Sequence, residues 1–94
     1  MDLTMNMKII VPEDILVQGV HGESVLLNLD NRYYYGLDKM GTQMWRTLSG
    51  SESIQKAYDD LLARYDVEAD VLRHDLFNLV QKLLDYGLLK VADE

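Results

Sequence analysis

The segment that most restricts the fold of this chain is Val25–Trp45, VLLNLDNRYYYGLDKMGTQMW. Two apolar runs flank Asp30-Asn31, a pair that tolerates positive φ better than most, and this predicts a tight β-hairpin. A helix has to follow almost at once. Asp38 is a good N-cap, and Met40, Met44 and Leu48 recur on one side with Trp45 beside them. Three consecutive tyrosines, Tyr33–Tyr35, are thereby committed to the second strand of the hairpin. If the turn has two residues, Leu29 faces Arg32, Leu27 faces Tyr34 and Leu26 faces Tyr35. Alternation then puts Tyr33, Tyr35 and Leu37 on the face of Leu26, and Tyr34 with Leu27. Both faces carry large apolar groups, whereas a sheet covered on one side normally shows a cleaner polar face.

With 94 residues the chain makes one domain. Residues 1–12 read as a flexible N-terminal arm ended by Pro12, and 13–94 as the single domain. Ile15–Val20 reads as a strand, His21-Gly22-Glu23 as a turn, Val25–Leu29 as the second strand and Arg32–Leu37 as the third. Helices are predicted from Lys39 to about Leu48, from Ile54 to about Tyr65 behind the Ser49–Ser53 cluster, and from about Asp70 to just before Gly87. Leu72, Leu76, Leu79 and Leu83 form the main stripe of the last helix. Phe77, Val80 and Leu84 form a second, rotated stripe that Arg73 continues. Leu88–Val91 is a short apolar tail. The order β-β-β-α-α-α implies an α+β, winged-helix-like domain, a three-stranded antiparallel sheet followed by three helices.

The residue inventory excludes much chemistry. The net charge of −7, from 16 acidic against nine basic side chains, disfavours nucleic acid, because phosphate binding needs concentrated Lys and Arg. There is no cysteine, hence no disulfide, thiolate site or thiol nucleophile. His21 and His74 are isolated, so no metal site is expected, and no phosphate loop or nucleophile elbow occurs, so neither cofactor nor catalysis is expected. The acidic pairs Asp59-Asp60 and Glu68–Asp70 read as helix-surface charge. No apolar run approaches the roughly 18 to 20 residues that span a bilayer, and the N-terminus is no signal peptide. A cytoplasmic protein without a membrane partner is expected.

What remains is a binding surface. A strand edge beside an apolar helix wall is the physical recipe for β-strand addition, in which main-chain hydrogen bonds give affinity and pockets give selectivity. Two other readings stay open. Residues 53–86 have a helix–turn–helix look that would suit a DNA-binding or regulatory module, although Arg73, His74 and Lys82 are offset by Asp70, Asp75 and Asp85. The second stripe of the last helix would equally serve as part of a broad core-facing surface or as a homodimer contact.

Several residues then carry a resemblance. They are Val25–Leu29, Tyr34-Tyr35-Gly36-Leu37-Asp38, Gly41 and Trp45 in GTQMW, Leu48 and Gly50, Tyr65, and the Asp75-Leu76, Leu79-Val80, Leu83, Gly87-Leu88-Leu89 pattern. Over about residues 14–91 the chain resembles PqqD-like proteins, the recognition elements for precursors of ribosomally made, modified peptides, and most of all the small stand-alone members of lasso-peptide pathways. That resemblance implies a non-catalytic adaptor. Its partners would be a precursor leader peptide and a leader peptidase or, in related systems, a radical SAM peptide-modifying enzyme. By position it implies that the guest adds to Arg32, Tyr33, Tyr34, Tyr35, Gly36 and Leu37. The facing wall would be Phe77, Val80 and Leu84 with Leu76 among the contacts, and Arg73, Asp75 and Lys82 would set charge register.

Overall fold

The computed structural model describes residues 4–92; residues 1–3 of the expected arm and the last two of the expected domain lie outside them. In chain order the elements are β1 (Ile9–Ile10), β2 (Ile15–Val20), β3 (Glu23–Asn28), β4 (Tyr34–Leu37), α1 (Lys39–Ser49), α2 (Ile54–Arg64), α3 (Ala69–Asp85) and β5 (Lys90–Val91). β2, β3 and β4 form a three-stranded antiparallel sheet in that order, followed by three helices, an α+β, winged-helix-like arrangement.

The hairpin keeps the anticipated register, Leu26 opposite Tyr35 and Leu27 opposite Tyr34. Its turn is longer than two residues. The Asn28 N–H donates to Tyr33 O (2.8 Å) and the Arg32 N–H to Asn28 O (2.7 Å), so Leu29–Arg32 all belong to the loop, and Arg32 turns the corner at φ 66. Arg32 and Tyr33 therefore precede the strand rather than open it. Register survives because the loop grows by one residue on each side. The turn between β2 and β3 is made by His21 (φ 52) and Gly22 (φ 84), the paired positive φ values of a two-residue hairpin.

Alternation sorts the sheet. Leu26 and Leu37 are buried on the inner face, and the Ser24 hydroxyl meets the Thr42 hydroxyl at 2.8 Å between sheet and α1. Asp38 caps α1 by accepting from the Gly41 N–H (2.7 Å), and Ser53 caps α2 by accepting from the Lys56 N–H (3.1 Å). The core combines the inner sheet face with Trp45 and Leu48 of α1, Ile54 and Leu61 of α2, and Leu72, Leu76, Val80 and Leu83 of α3.

The segment before Pro12 corrects the expectation of a loose arm over its described part. Ile9 and Ile10 pair with Val91 and Lys90 in a second, two-stranded sheet. Ile9 is buried, and Met5 and Met7 pack against the core while their carbonyls accept from the Gln55 and Ile54 N–H groups. Local periodicity carries no trace of this, because the partner strand lies at the other end of the chain.

One polar knot sets the position of α3. The Asn28 side chain accepts from the Asp30 and Asn31 N–H groups and donates to Gly87 O at 2.7 Å, and Asn31 donates to Tyr86 O at 3.2 Å. Gly87 sits at φ 73, and a Cβ there would lie 2.7 Å from the Asn31 amide nitrogen. Only glycine lets the end of α3 close onto the β3–β4 turn. The knot draws the C-terminal end of α3 to the start of β4.

Candidate functional site

β4 is an edge strand, and its hydrogen-bond parity can be read from the closing pair. Asn28 bonds Tyr33, so in an antiparallel ladder the bonded pairs alternate onward to Leu26–Tyr35 and Ser24–Leu37. The N–H and C=O groups of Tyr34 and Gly36 therefore point away from β3, toward the open edge. They are the main-chain groups available to a guest strand.

The space beside that edge is a groove. A concavity of about 370 Å³ is lined by Tyr35–Asp38 of the strand end, Met40, Gly41 and Met44 of α1, and Asp75 and Leu79 of α3. A second, of about 340 Å³, lies at the other end of β4 between Arg32, Tyr33, Tyr34 and Tyr86. Tyr86 stands edge-on to both Tyr33 (5.7 Å between centroids) and Tyr35 (5.5 Å), which holds the strand start against the end of α3. Tyr34 projects from the opposite face of the sheet and is 70% exposed. The three tyrosines thus divide, two toward α3 and one outward.

The groove floor is apolar, from Met44 and Leu79, and its rim is acidic, from the exposed Asp38 and Asp75. Gly36 has an open surround: a Cβ there would meet no heavy atom within 4 Å. Neither φ nor packing in this chain demands glycine at that position. A glycine in the middle of a strand suits close approach by another backbone.

The wall is not the stripe read from the sequence. At about 100° per residue, Asp75, Leu79, Lys82 and Tyr86 share an arc of about 60°, and the first two line the groove. Phe77, Leu84 and Arg73 lie roughly opposite on the same helix. Phe77 and Leu84 are half-buried against the core, with the Arg73 guanidinium 5.8 Å above the Phe77 ring. Leu76 and Val80 are wholly buried and present nothing to a guest. Of the anticipated helix residues, Asp75 lines the groove and Lys82 shares its side; Arg73, Leu76, Phe77, Val80 and Leu84 do not. The wall residues missed in the sequence were Leu79, assigned to the core stripe alone, Met40 and Met44, and Tyr86. Spacings of four and seven residues between Asp75, Leu79 and Tyr86 were the signal that could have found them.

A larger concavity, about 540 Å³, lies between α1 and α2, lined largely by polar and charged side chains including Arg46, Asp60 and Arg64. It shares no residue with β4 or α3 and is not part of this groove. Among the described residues no group of three or more His, Cys, Asp or Glu could hold a metal ion, and no helix is long and apolar enough to cross a membrane.

Residues 23–89 match the family model described as coenzyme PQQ synthesis protein D, PqqD. No curated protein matches the chain. Two solved structures share the fold. One, described as TbiB1 in complex with the TbiA(beta) leader peptide, is 25% identical with a TM-score of 0.77, over 89% of this chain and 98% of that one. The other, described as lasso peptide synthetase B1 complexed with the leader peptide, is 22% identical with a TM-score of 0.74, over 88% and 98%.

Proposed function

This chain belongs to the PqqD family, and from that premise we propose that it is a non-catalytic adaptor for the leader segment of a ribosomally made precursor peptide. The guest adds as a strand to β4 and lies in the groove against α3. The observation that carries this reading is the pair of outward-facing peptide groups at Tyr34 and Gly36, opening into a groove walled by Asp75 and Leu79. Strand addition needs such an unsatisfied edge together with a side-chain pocket. The complex of TbiB1 with a leader peptide supports the same assignment. The acidic rim suits a guest with basic side chains near its apolar anchors.

The bound complex hands the precursor to a processing enzyme, a leader peptidase in a lasso-peptide pathway; a radical SAM modifying enzyme is the other class of recipient. The DNA-binding alternative gains nothing from α3, whose exposed residues include Asp70, Asp75 and Asp85 beside Arg73 and Lys82.

Titration calorimetry with the leader peptide of the neighbouring precursor gene tests the reading. Saturable one-to-one binding at micromolar or tighter affinity is expected. Absence of heat at tens of micromolar would overturn the lasso-adaptor assignment.

A further inference from the structure

The side chains of an added strand alternate between two faces, and the groove reads only one of them. Tyr35 and Leu37 stand on the inner face, whereas Tyr34 and Gly36 stand on the outer one, paired with Leu27 and Val25. Whichever way the guest runs, the residue facing Gly36 sends its side chain to that outer face. There it meets a depression. Val25 is 45% exposed and has no side chain beside it at Gly36, where a Cβ would meet no heavy atom within 4 Å. A concavity of about 250 Å³ opens at this gap, lined by Val20, Val25 and Gly36, with Gln18, Glu23 and Asp38 among its polar residues. The row Gln18–Val25–Gly36 crosses the sheet there, and Val20–Glu23 makes the next row.

Given the adaptor role, on which this rests, we propose that the depression is a second recognition point for the guest strand, taking one large apolar side chain that lies across Gly36 onto Val25. In an antiparallel ladder Gly36 forms a bonded pair with the guest, about 5.5 Å between Cα atoms, and a non-bonded pair with Val25, about 4.5 Å. The guest Cα thus stands about 10 Å from that of Val25. Alanine stops far short of that distance; an aromatic ring or a methionine spans it. A cross-strand side chain laid over a strand glycine covers the bare backbone and packs the neighbour that the glycine leaves open. The apolar Val20 and Val25 set the class of side chain, and Asp38 is already engaged in capping α1 through the Gly41 N–H. Alternation also fixes where this anchor falls. Guest residues facing Tyr35 and Leu37 point into the groove, so the outer anchor is the immediate sequence neighbour of a groove anchor. The guest is read on both faces of its strand.

An alanine scan of the leader peptide of the neighbouring precursor gene, titrated by calorimetry into the wild type and into Val25→Asp, tests this. Val25→Asp is expected to weaken the leader about tenfold, and Gly36→Val, which fills the depression with the chain's own side chain, at least about fivefold. Leu16→Asp puts the same charge on the same outer face beyond the depression and is expected to leave affinity within about twofold. One leader residue is expected to lose about tenfold on replacement by alanine against the wild type, but less than about twofold against Val25→Asp; that coupling marks the contact. Circular dichroism checks the fold, and if Val25→Asp disturbs it, Val25→Thr carries the test with an expected loss of about threefold. A leader that binds the wild type and the Val25 variant equally tightly would overturn the outer recognition point and leave the adaptor role standing. So would a scan in which every alanine variant loses as much against the Val25 variant as against the wild type. A wild type that binds no leader would overturn the adaptor role, and this proposal with it.

Discussion

The two long sides of α3 carry similar inventories and do different work. One presents Phe77 and Leu84 with Arg73 above the ring; the other presents Leu79 and Tyr86 with Asp75 and Lys82. The first side packs against the core. The second overlooks the groove beside the β4 edge. What separates them is the Asn28–Gly87 knot, which fixes α3 against the β3–β4 turn and so decides which apolar stripe meets β4. A helix face acquires its role from the contact at its end as much as from its own sequence.

Mutations that touch the groove should therefore act on leader affinity, and those on the other side on stability alone. Gly36→Pro should have the largest effect. It removes an outward N–H while sparing the bonds of β4 to β3, and calorimetry should show leader affinity falling about tenfold to a hundredfold, the range expected for a lost main-chain bond in a desolvated site. Next comes the pair Leu79→Ala and Phe77→Ala. Leu79→Ala should weaken the leader about tenfold and lower unfolding free energy by about 2–3 kcal/mol in urea melts. Phe77→Ala should lower it by about 1–2 kcal/mol yet leave affinity within about twofold. Equal losses of affinity in the two variants would erase the distinction between the sides. Asp75→Lys should be the mildest. The carboxylate is exposed, so affinity for a lysine-bearing leader should fall only about threefold, and the difference should shrink as salt is raised.

Much of this was legible before any coordinates. Register in the hairpin followed from the Asp30-Asn31 turn signal even though the loop takes four residues, since Leu29 and Arg32 left the strands as a pair. The caps at Asp38 and Ser53 were readable from residue type alone. Three things were not. The pairing of Ile9–Ile10 with Lys90–Val91 joins opposite ends of the chain, and two-residue strands have no period. The role of Asn28 depends on reaching Gly87, 59 positions away. The orientation of α3 was the third: helical spacing gives the Leu72–Leu83 stripe and the rotated Phe77–Val80–Leu84 stripe but does not say which side of the helix meets the sheet edge, and Asp75 and Leu79 line the groove there. Leu79 lines the groove while packed into the core, so a stripe model that assigns each residue one duty overlooks it.

The central claim is that a guest strand hydrogen-bonds the open edge of β4 beside α3. Amide hydrogen exchange, resolved by residue, with and without saturating leader peptide, addresses it most directly. Exchange at Tyr34 and Gly36 should slow at least about tenfold on binding, because those two N–H groups pass from solvent into a ladder, while Phe77 and Leu84 hold their free-state rates. Protection confined to the Phe77 side of α3, with Tyr34 and Gly36 exchanging as fast as in the free protein, would contradict the account.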